Sequence, residues 1–342
     1  MDNTIYNVVV ENGYSHHKGL YLNADGELTE YIKPSIASSE MSNLSVQGGG
    51  LMESYEVNGK RFQIGPNVSD PIDTRSPGYQ TSELNTALIH HSLVEMGFSG
   101  KKVRLCTGMP VDQFYLESGE INHDRINEVK QSMQQPVYIS SGVKPAEIVE
   151  HVVMAEATSA ILAYCFDMET KTMVREVRVG MGVIDIGGGT TDSAWLLPGG
   201  QIDKNKCGSD RIGALESKQK IRKEIADLLK IEDVNGIPGV IIETAFRDMT
   251  VNTGAEELVD VSGIVLEKKE QLKNKVEAII QKRFKDTTFC DGILCVGGTS
   301  EALKDQLATI PKAIVPEKPQ FQNALGMWIY LTYLHENQVQ AA

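Results

Sequence analysis

Residues 183–192 of this 342-residue chain read VIDIGGGTTD: an apolar run ends in Asp185, and three glycines, two threonines and a second acid follow. A strand-like pattern resumes in residues 194–197, so the stretch predicts a β-hairpin with a Gly/Thr tip. Such a tip is either an ordinary turn or a concavity of backbone N–H groups that binds phosphate, because glycine lets the backbone approach a ligand closely. An acid at the mouth of a phosphate loop is well placed to hold hydrated Mg²⁺.

A second stretch of the same design lies near the start of the chain. Residues 6–10 are predicted to form a strand, residues 11–19 read ENGYSHHKG, and residues 20–22 are strand-like again. The tip of this turn is expected to include Lys18, whose ammonium group can reach phosphate oxygens. An Asn-Gly pair between strands predicts, by itself, only a hairpin. Two acid-tipped hairpins in different halves of the chain favour a phosphate-binding role for both.

The composition narrows the class of protein. The chain has 33 Lys and Arg against 46 Asp and Glu, a net charge of −13, which argues against direct binding to nucleic acid or to an anionic membrane. Its length favours two domains. The five scattered cysteines are predicted to be reduced thiols. The polar start of the sequence and the lack of long apolar runs predict a soluble cytoplasmic protein without a signal peptide or membrane span.

Other segments are interpreted from their periodicity and turn residues. Residues 144–165 are predicted to form one long helix, in which Glu156 lies among the small residues of VMAEATSA. This glutamate is either a solvated helix-surface side chain or a carboxylate with a chemical role. Residues 290–301 are predicted to form a strand, a Gly-Gly turn and a helix, where a nucleotide can lie against bare backbone. Further helices are predicted over residues 82–96, 122–134, 214–229, 238–249, 263–284 and 321–334.

The order of these elements resembles that of the actin, heat-shock chaperone and sugar-kinase ATPase superfamily, over essentially the whole chain. Within that superfamily the chain is most similar to the bacterial actin-like plasmid-segregation proteins of the ParM/StbA group. The narrower resemblance rests on the size of the chain, the CTGMP turn at residues 106–110 and the sequence FQNALG at residues 321–326. It implies an α/β protein with the actin-like ATPase fold, in which two related α/β domains have a nucleotide cleft between them.

The resemblance also implies where the domains begin and end. Domain I is expected over residues 1–165, with a smaller inserted subdomain at about 33–80, and is completed by a C-terminal helix over residues 320–342. Domain II is expected over residues 166–319.

Roles for individual residues follow from the same resemblance. Asp185 and Glu11 are expected to hold Mg²⁺ through water, and Glu156 to position the attacking water; these three are the expected catalytic residues. Glu11 departs from the pattern, because most members of the superfamily have aspartate there. The expected nucleotide contacts are Gly13, Tyr14, Ser15 and Lys18 in the first hairpin, Gly187, Gly188, Gly189, Thr190 and Thr191 in the second, Gly297, Gly298 and Thr299 along the adenosine, and Lys218 and Arg222 beside the base.

The function implied is that of a bacterial cytoplasmic ATPase that uses ATP (or GTP) with Mg²⁺ and assembles into a homopolymeric filament. Such a filament moves plasmid DNA through a separate DNA-binding adaptor bound to the plasmid centromere, so the chain itself binds neither nucleic acid nor membrane. Two alternatives on the same fold stay open: an actin-like cytoskeletal scaffold unrelated to plasmids, and a soluble ATP-dependent kinase or reactivase.

Overall fold

A computed structural model describes residues 4–39, 53–65, 68, 70–76, 78–254 and 257–335. The chain divides into two compact units, the first made of Met1–Glu176 and Phe321–Ala342 and the second of Val177–Gln320. The first unit extends past residue 165 because the following segment is bound back to it. The N–H groups of Val174 and Arg175 both donate to the carbonyl of Cys165, at 2.9 and 3.2 Å.

The first unit is an α/β unit with two main sheets. Its strands are β1 (Ile5–Asn12), β2 (His16–Leu22), β3 (Leu28–Pro34), β4 (Ala37–Ser38), β5 (Ser54–Val57), β6 (Lys60–Ile64), β7 (Lys102–Met109), β8 (Val137–Ile139), β9 (Glu147–Ala155), β10 (Phe166–Asp167) and β11 (Thr172–Met173). Its first helices are α1 (Glu83–Glu95), α2 (Val111–Phe114), α3 (His123–Ser132) and α4 (Thr158–Cys165).

The larger sheet of this unit brings three strand ends together. Its strand order is β3–β2–β1–β7–β9, in which β1 is antiparallel to β2 but parallel to β7, and β7 is parallel to β9. The consecutive Val8, Val9 and Val10 are all buried, as expected for a central strand covered on both faces. The carboxyl ends of β1, β7 and β9 therefore meet at one edge of the sheet. The smaller sheet, β4–β6–β5–β8, combines three strands of the expected inserted segment with β8 from outside it.

The long helix predicted over residues 144–165 is wrong. β9 occupies Glu147–Ala155, and only Thr158–Cys165 is helical. Residues 147–155 read EIVEHVVMA, and their β-branched side chains suit a strand paired with β7. Glu156 consequently lies in the turn between β9 and α4 rather than on a helix. The other predicted helices are confirmed, with ends that differ by one or two residues, except that the last one changes after Ile329 into a π-helical turn, Tyr330–Leu334.

The second unit repeats the arrangement of a hairpin beside a parallel strand. Its strands are β12 (Met181–Ile186), β13 (Thr191–Leu196), β14 (Gly208–Asp210), β15 (Thr250–Val251), β16 (Val259–Asp260), β17 (Gly292–Val296) and β18 (Ala313–Ile314), and its helices are α5 (Ala214–Leu229), α6 (Gly239–Asp248), α7 (Ser262–Phe284), α8 (Gly298–Ala302) and α9 (Lys304–Leu307). The main sheet has the order β14–β13–β12–β17–β18. Apolar residues of α5, α6 and α7 pack on this sheet to form the core of the unit.

The final helix, α10 (Gln322–Ile329), returns to the first unit and covers its larger sheet. Gly326 packs so closely on α4 that an added Cβ would overlap the carbonyl of Ser159. Residues 336–342 of the expected C-terminal helix lie outside the described residues. The five cysteines are buried, and none of them forms a disulfide within the described residues. None of the helices in the described ranges is both long enough and apolar enough to cross a lipid bilayer.

Candidate functional site

The hairpin predicted from residues 183–192 is formed by β12 and β13, and residues 187–190 are its loop. The carbonyls of this loop point into the protein. That of Gly187 accepts a hydrogen bond from the Thr299 hydroxyl at 2.9 Å, and that of Gly188 accepts one from the N–H of Leu215 at 2.8 Å. Gly213, just before α5, allows this approach, because an added Cβ there would overlap the carbonyl of Gly188.

The N–H groups of the same loop are in the opposite situation. Within the described ranges, those of Gly188, Gly189 and Thr190 donate to no backbone carbonyl, and all three residues are partly exposed. A loop whose carbonyls are bound, and whose N–H groups are not used by backbone carbonyls of the described residues, has partial positive charge to offer a ligand. The arrangement is suited to binding an anion such as phosphate.

Asp185 is the penultimate residue of β12, beside this loop, and is 8% exposed. One of its carboxylate oxygens lies against Gly297, where an added Cβ would overlap it. Gly297 also has a φ of 91°, in the left-handed region that favours glycine. Position 297 therefore requires glycine for two reasons, its backbone conformation and the space that the Asp185 carboxylate and the Ile186 carbonyl occupy. Its neighbour Gly298 is exposed and has open space around it, whereas the Thr299 hydroxyl is already used by the loop.

Lys218 and Arg222, expected beside the base, both lie where α5 meets α6. The ammonium of Lys218 is 2.6 Å from a carboxylate oxygen of Glu243 and 5.2 Å from the ring centre of Phe246. The guanidinium of Arg222 lies near Gly239, at the start of α6. The charge of Lys218 is thus balanced within the second unit.

The first hairpin has a shorter loop than its sequence suggests. Its loop is residues 13–15, and Lys18 lies in β2, directly opposite Glu11, so the expectation that Lys18 is at the tip is wrong. The reason is that β1 and β2 remain paired as far as Asn12 and His17.

The carbonyls of this loop are also held by hydroxyl groups. That of Gly13 accepts a hydrogen bond from Ser35 at 2.7 Å, and that of Tyr14 accepts one from Thr74 at 2.5 Å. Ser15, the third residue of the loop, is exposed, and its carbonyl accepts from the N–H of Ser35. The two hairpins therefore share one design, in which side chains or neighbouring backbone bind the loop carbonyls.

Glu11 is a buried carboxylate with an incomplete set of partners. It is 4% exposed, and its Oε1 accepts from the Lys18 ammonium at 3.0 Å and from the Asn323 amide at 3.3 Å. Its Oε2 is buried and has no hydrogen-bond partner among the described residues. Buried polar atoms are normally satisfied, so this oxygen is suited to accept from a water bound to a metal ion. The residues present thus fit a hydrated Mg²⁺.

Glu156 lies at the same edge of the sheet as Glu11. An added Cβ at Gly108 would be 2.6 Å from a carboxylate oxygen of Glu156, so this carboxylate packs on the end of β7. The N–H of Gly108 donates to the side-chain oxygen of Asn12 at 3.1 Å. The first unit therefore brings two of the three expected catalytic carboxylates to one edge of the sheet, at the ends of β1 and β9 on either side of β7.

Three positions that shape these sites are missed by sequence reasoning: Asn12, Asn323 and Gly213. Asn12 is fully buried and donates to the side chains of Gln80 and Asn85, but in the sequence it reads as half of an Asn-Gly turn. Asn323 stands with Gln322 before the apolar remainder of α10, and this polar pair at the start of the helix is the signal that marks it.

His17 connects the first hairpin to the residues packed against it. Its ring nitrogens are 3.1 Å from the hydroxyls of Ser92 and Tyr79, and the Tyr79 ring contacts that of Tyr14 in the loop, with the ring centres 5.4 Å apart. Burial, together with the nearby His91, lowers the pKa of His17 to about 3. The imidazole is therefore neutral at physiological pH.

The chain has the actin-like fold. An archaeal actin homolog, Ta0583, in complex with ADP, superposes with a TM-score of 0.74 at 18% identity, over 99% of this chain and 100% of that chain. Bacillus thuringiensis ParM with AMPPNP gives a TM-score of 0.68 at 17% identity, over 99% of both chains. A subunit of a 15-stranded ParM filament from Clostridium botulinum gives 0.68 at 15% identity, over 96% of this chain and 99% of that chain.

A family model matches the N-terminal part of the chain. Residues 6–165 match the family described as plasmid segregation protein ParM, N-terminal. The resemblance to the ParM/StbA group and the actin-like fold expected from the sequence are thereby confirmed. A comparison with curated protein sequences gave no significant match.

The buried histidines make stability depend on pH. Burial lowers the pKa of His17 and His151 to about 3 and that of His90 to about 4, whereas a histidine in the unfolded chain titrates near 6.5. The unfolded state therefore binds more protons below about pH 6.5, and the fold loses about 1.4 kcal/mol per pH unit for each such histidine. Neither ring nitrogen of His90 has a hydrogen-bond partner in the described part of the chain. We expect His90→Leu to reduce the fall in melting temperature between about pH 7.5 and about pH 5.

The exposed His123 provides the control, since His123→Gln should keep the wild-type pH dependence. An unchanged pH dependence in His90→Leu would contradict the account.

The role of Gly297 leads to a second prediction. Gly297→Ala introduces both backbone strain and an overlap with the Asp185 carboxylate, and we expect it to lower the free energy of unfolding by about 2 kcal/mol or more. Gly298→Ala adds a methyl group with no atom within 4 Å, so it should change the free energy by less than about 0.5 kcal/mol. Urea denaturation of both variants measures the difference, and equal stabilities would contradict the requirement for glycine at position 297.

Proposed function

We propose that this protein is a nucleotide-dependent, polymerising actin-like ATPase whose filaments segregate plasmid DNA through a separate DNA-binding adaptor. The observation that supports it best is the shared design of the two hairpins, each with bound loop carbonyls and a buried acid at the end of its first strand. The family match over residues 6–165 and the ADP, AMPPNP and filament forms of structurally similar proteins support it further.

Each hairpin is proposed to bind nucleotide phosphates. Backbone N–H groups at Gly188, Gly189 and Thr190 suit phosphate oxygens, as do residues 13–15 in the first hairpin. The Lys18 ammonium forms an ion pair with the Glu11 carboxylate. Because the lysine side chain is flexible, the ammonium can move to bind a phosphate oxygen instead. Residues 297–299, with Lys218 and Arg222, are proposed to bind the nucleoside of ATP or GTP.

The metal and the catalytic groups are assigned to the buried acids. Glu11 and Asp185 would hold Mg²⁺ through water, and the ion would neutralise charge on the transferring phosphoryl group. Glu156, at the edge shared with Glu11, would orient the attacking water. Phosphoryl transfer needs positioning and charge compensation more than covalent participation, so carboxylates fixed at strand ends suit it.

The net charge of −13 agrees with a filament that leaves DNA contact to an adaptor in the bacterial cytoplasm. The two alternatives, a non-plasmid scaffold and a soluble kinase or reactivase, differ in what they assemble with. Adding plasmid centromere DNA with its adaptor should stabilise filaments if the protein is plasmid-borne machinery, and should leave a non-plasmid scaffold unchanged.

Glu156→Gln tests the proposed hydrolysis. The change removes the carboxylate charge while preserving shape, so we expect nucleotide affinity to stay within about twofold of wild type and phosphate release to fall by about 100-fold or more. Phosphate release and fluorescent nucleotide binding are measured on the same samples. Glu147→Gln, at the exposed opposite end of β9, is the matched control and should keep wild-type values. Phosphate release at the parent rate in Glu156→Gln would remove Glu156 from the mechanism.

A further inference from the structure

We propose that Asn323 of α10 is a positioning residue that sets the orientation of the Glu11 carboxylate and of the turn at Glu156 together. The C-terminal helix thereby becomes part of the hydrolytic site. This inference rests on the proposed function and names a further residue on which that function depends.

Both the nitrogen and the oxygen of the Asn323 side-chain amide form hydrogen bonds. Its nitrogen donates to Oε1 of Glu11 at 3.3 Å, and its oxygen accepts from the backbone N–H of Ala157 at 2.9 Å. A carboxylate can only accept and a backbone N–H can only donate, so the two partners fix which way the amide points. Asn323 is 2% exposed, and these bonds form without competition from bulk water.

The bond to Ala157 acts on the residue next to Glu156. Ala157 has a φ of 61°, which is uncommon for a residue other than glycine and costs of the order of 1–3 kcal/mol. Such a conformation persists only where neighbouring groups hold it. The Asn323 oxygen is one of those groups, and it fixes the peptide that follows the Glu156 carboxylate.

The bond to Glu11 acts on the proposed metal-holding carboxylate. Lys18 and Asn323 both donate to Oε1, which leaves Oε2 as the oxygen for a metal-bound water. If Lys18 turns to a phosphate, Asn323 remains to hold Glu11. Glutamate is one methylene longer than aspartate and has more rotamers, so it gains more from a second fixed donor.

The position of Asn323 is itself fixed by packing along α10. Gly326 contacts the Ser159 carbonyl, and the methyl group of Met327 lies 2.9 Å from where a Cβ of Gly108 would be. One stretch of α10 therefore contacts the ends of β1 and β7 and the start of α4. A shift of this helix would change the surroundings of both carboxylates at once.

Two variants separate the two ends of the amide. Asn323→Asp keeps an acceptor for Ala157 but places a negative oxygen against Glu11, whereas Asn323→Ala loses both bonds. Removing groups that orient a metal ligand typically costs 10–100-fold. We expect both variants to reduce the Mg²⁺-dependent gain in ADP affinity and the rate of phosphate release by about tenfold or more, with ADP affinity in EDTA unchanged within about twofold.

Hydrogen exchange at the Ala157 amide gives a readout that needs no nucleotide. We expect this amide to be protected in wild type and Asn323→Asp and to exchange faster in Asn323→Ala. Thr332→Ala is the control, because Thr332 also joins the C-terminal segment to β1, through Asn7 at 3.5 Å, but away from the carboxylates. It should change none of these measurements.

The possible failures are distinguishable. A wild-type protein that binds no ADP would contradict the proposed function itself. Wild-type binding and hydrolysis, with an unchanged Mg²⁺-dependent gain and phosphate release in both Asn323 variants, would overturn this inference alone. Equal losses in Thr332→Ala would overturn it as well, since the effect would then reflect a loosened helix and not the amide.

Discussion

The buried negative charge of Glu11 is the constraint on which the first unit depends. A carboxylate that is 4% exposed must be compensated, because removing an ion from water without a partner is costly. Lys18 supplies the opposite charge from β2, and Asn323 supplies a hydrogen bond from α10. The pairing of the first hairpin and the docking of the last helix therefore converge on one side chain. The other carboxylate oxygen, Oε2, has no hydrogen-bond partner in the part of the chain that the structure describes, and this makes the arrangement suited to bind an ion.

The second constraint concerns the backbone of the two loops. In each hairpin the carbonyl oxygens are bound by side chains or backbone that come from distant parts of the sequence. Thr299 and Leu215 bind the second loop, and Ser35 and Thr74 bind the first. Binding the carbonyls fixes each loop before a ligand arrives, so the cost of ordering it is met by folding. Gly213 and Gly297 also hold the second hairpin in place. A larger residue at position 213 would overlap the carbonyl of Gly188, and one at position 297 would overlap the carboxylate of Asp185.

Much of the fold could be predicted from the sequence, because the two hairpins and most helices have strong local signals. The prediction of one helix over residues 144–165 was wrong, since the apolar and small residues there fit a helix as well as a strand, and the pairing with β7 makes Glu147–Ala155 a strand. Because of that error, the sequence did not predict that Glu156 and Glu11 lie at the same edge of one sheet. Lys18 was expected at the hairpin tip, but β1 and β2 are paired as far as Asn12 and His17, so Lys18 lies within β2. The two-ended contact of Asn323 joins positions more than three hundred residues apart in sequence, which no local pattern reveals.

The central claim is that nucleotide binding by the hairpins drives assembly, and sedimentation of the full-length protein tests it most directly. The protein is spun with ATP and Mg²⁺, with ATP and EDTA, and without nucleotide, over a range of concentrations. The account predicts large assemblies above a critical concentration with ATP and Mg²⁺ only, and their loss in Glu11→Gln. A monomer at every concentration, under conditions where ATP and Mg²⁺ are shown to be bound, would contradict it.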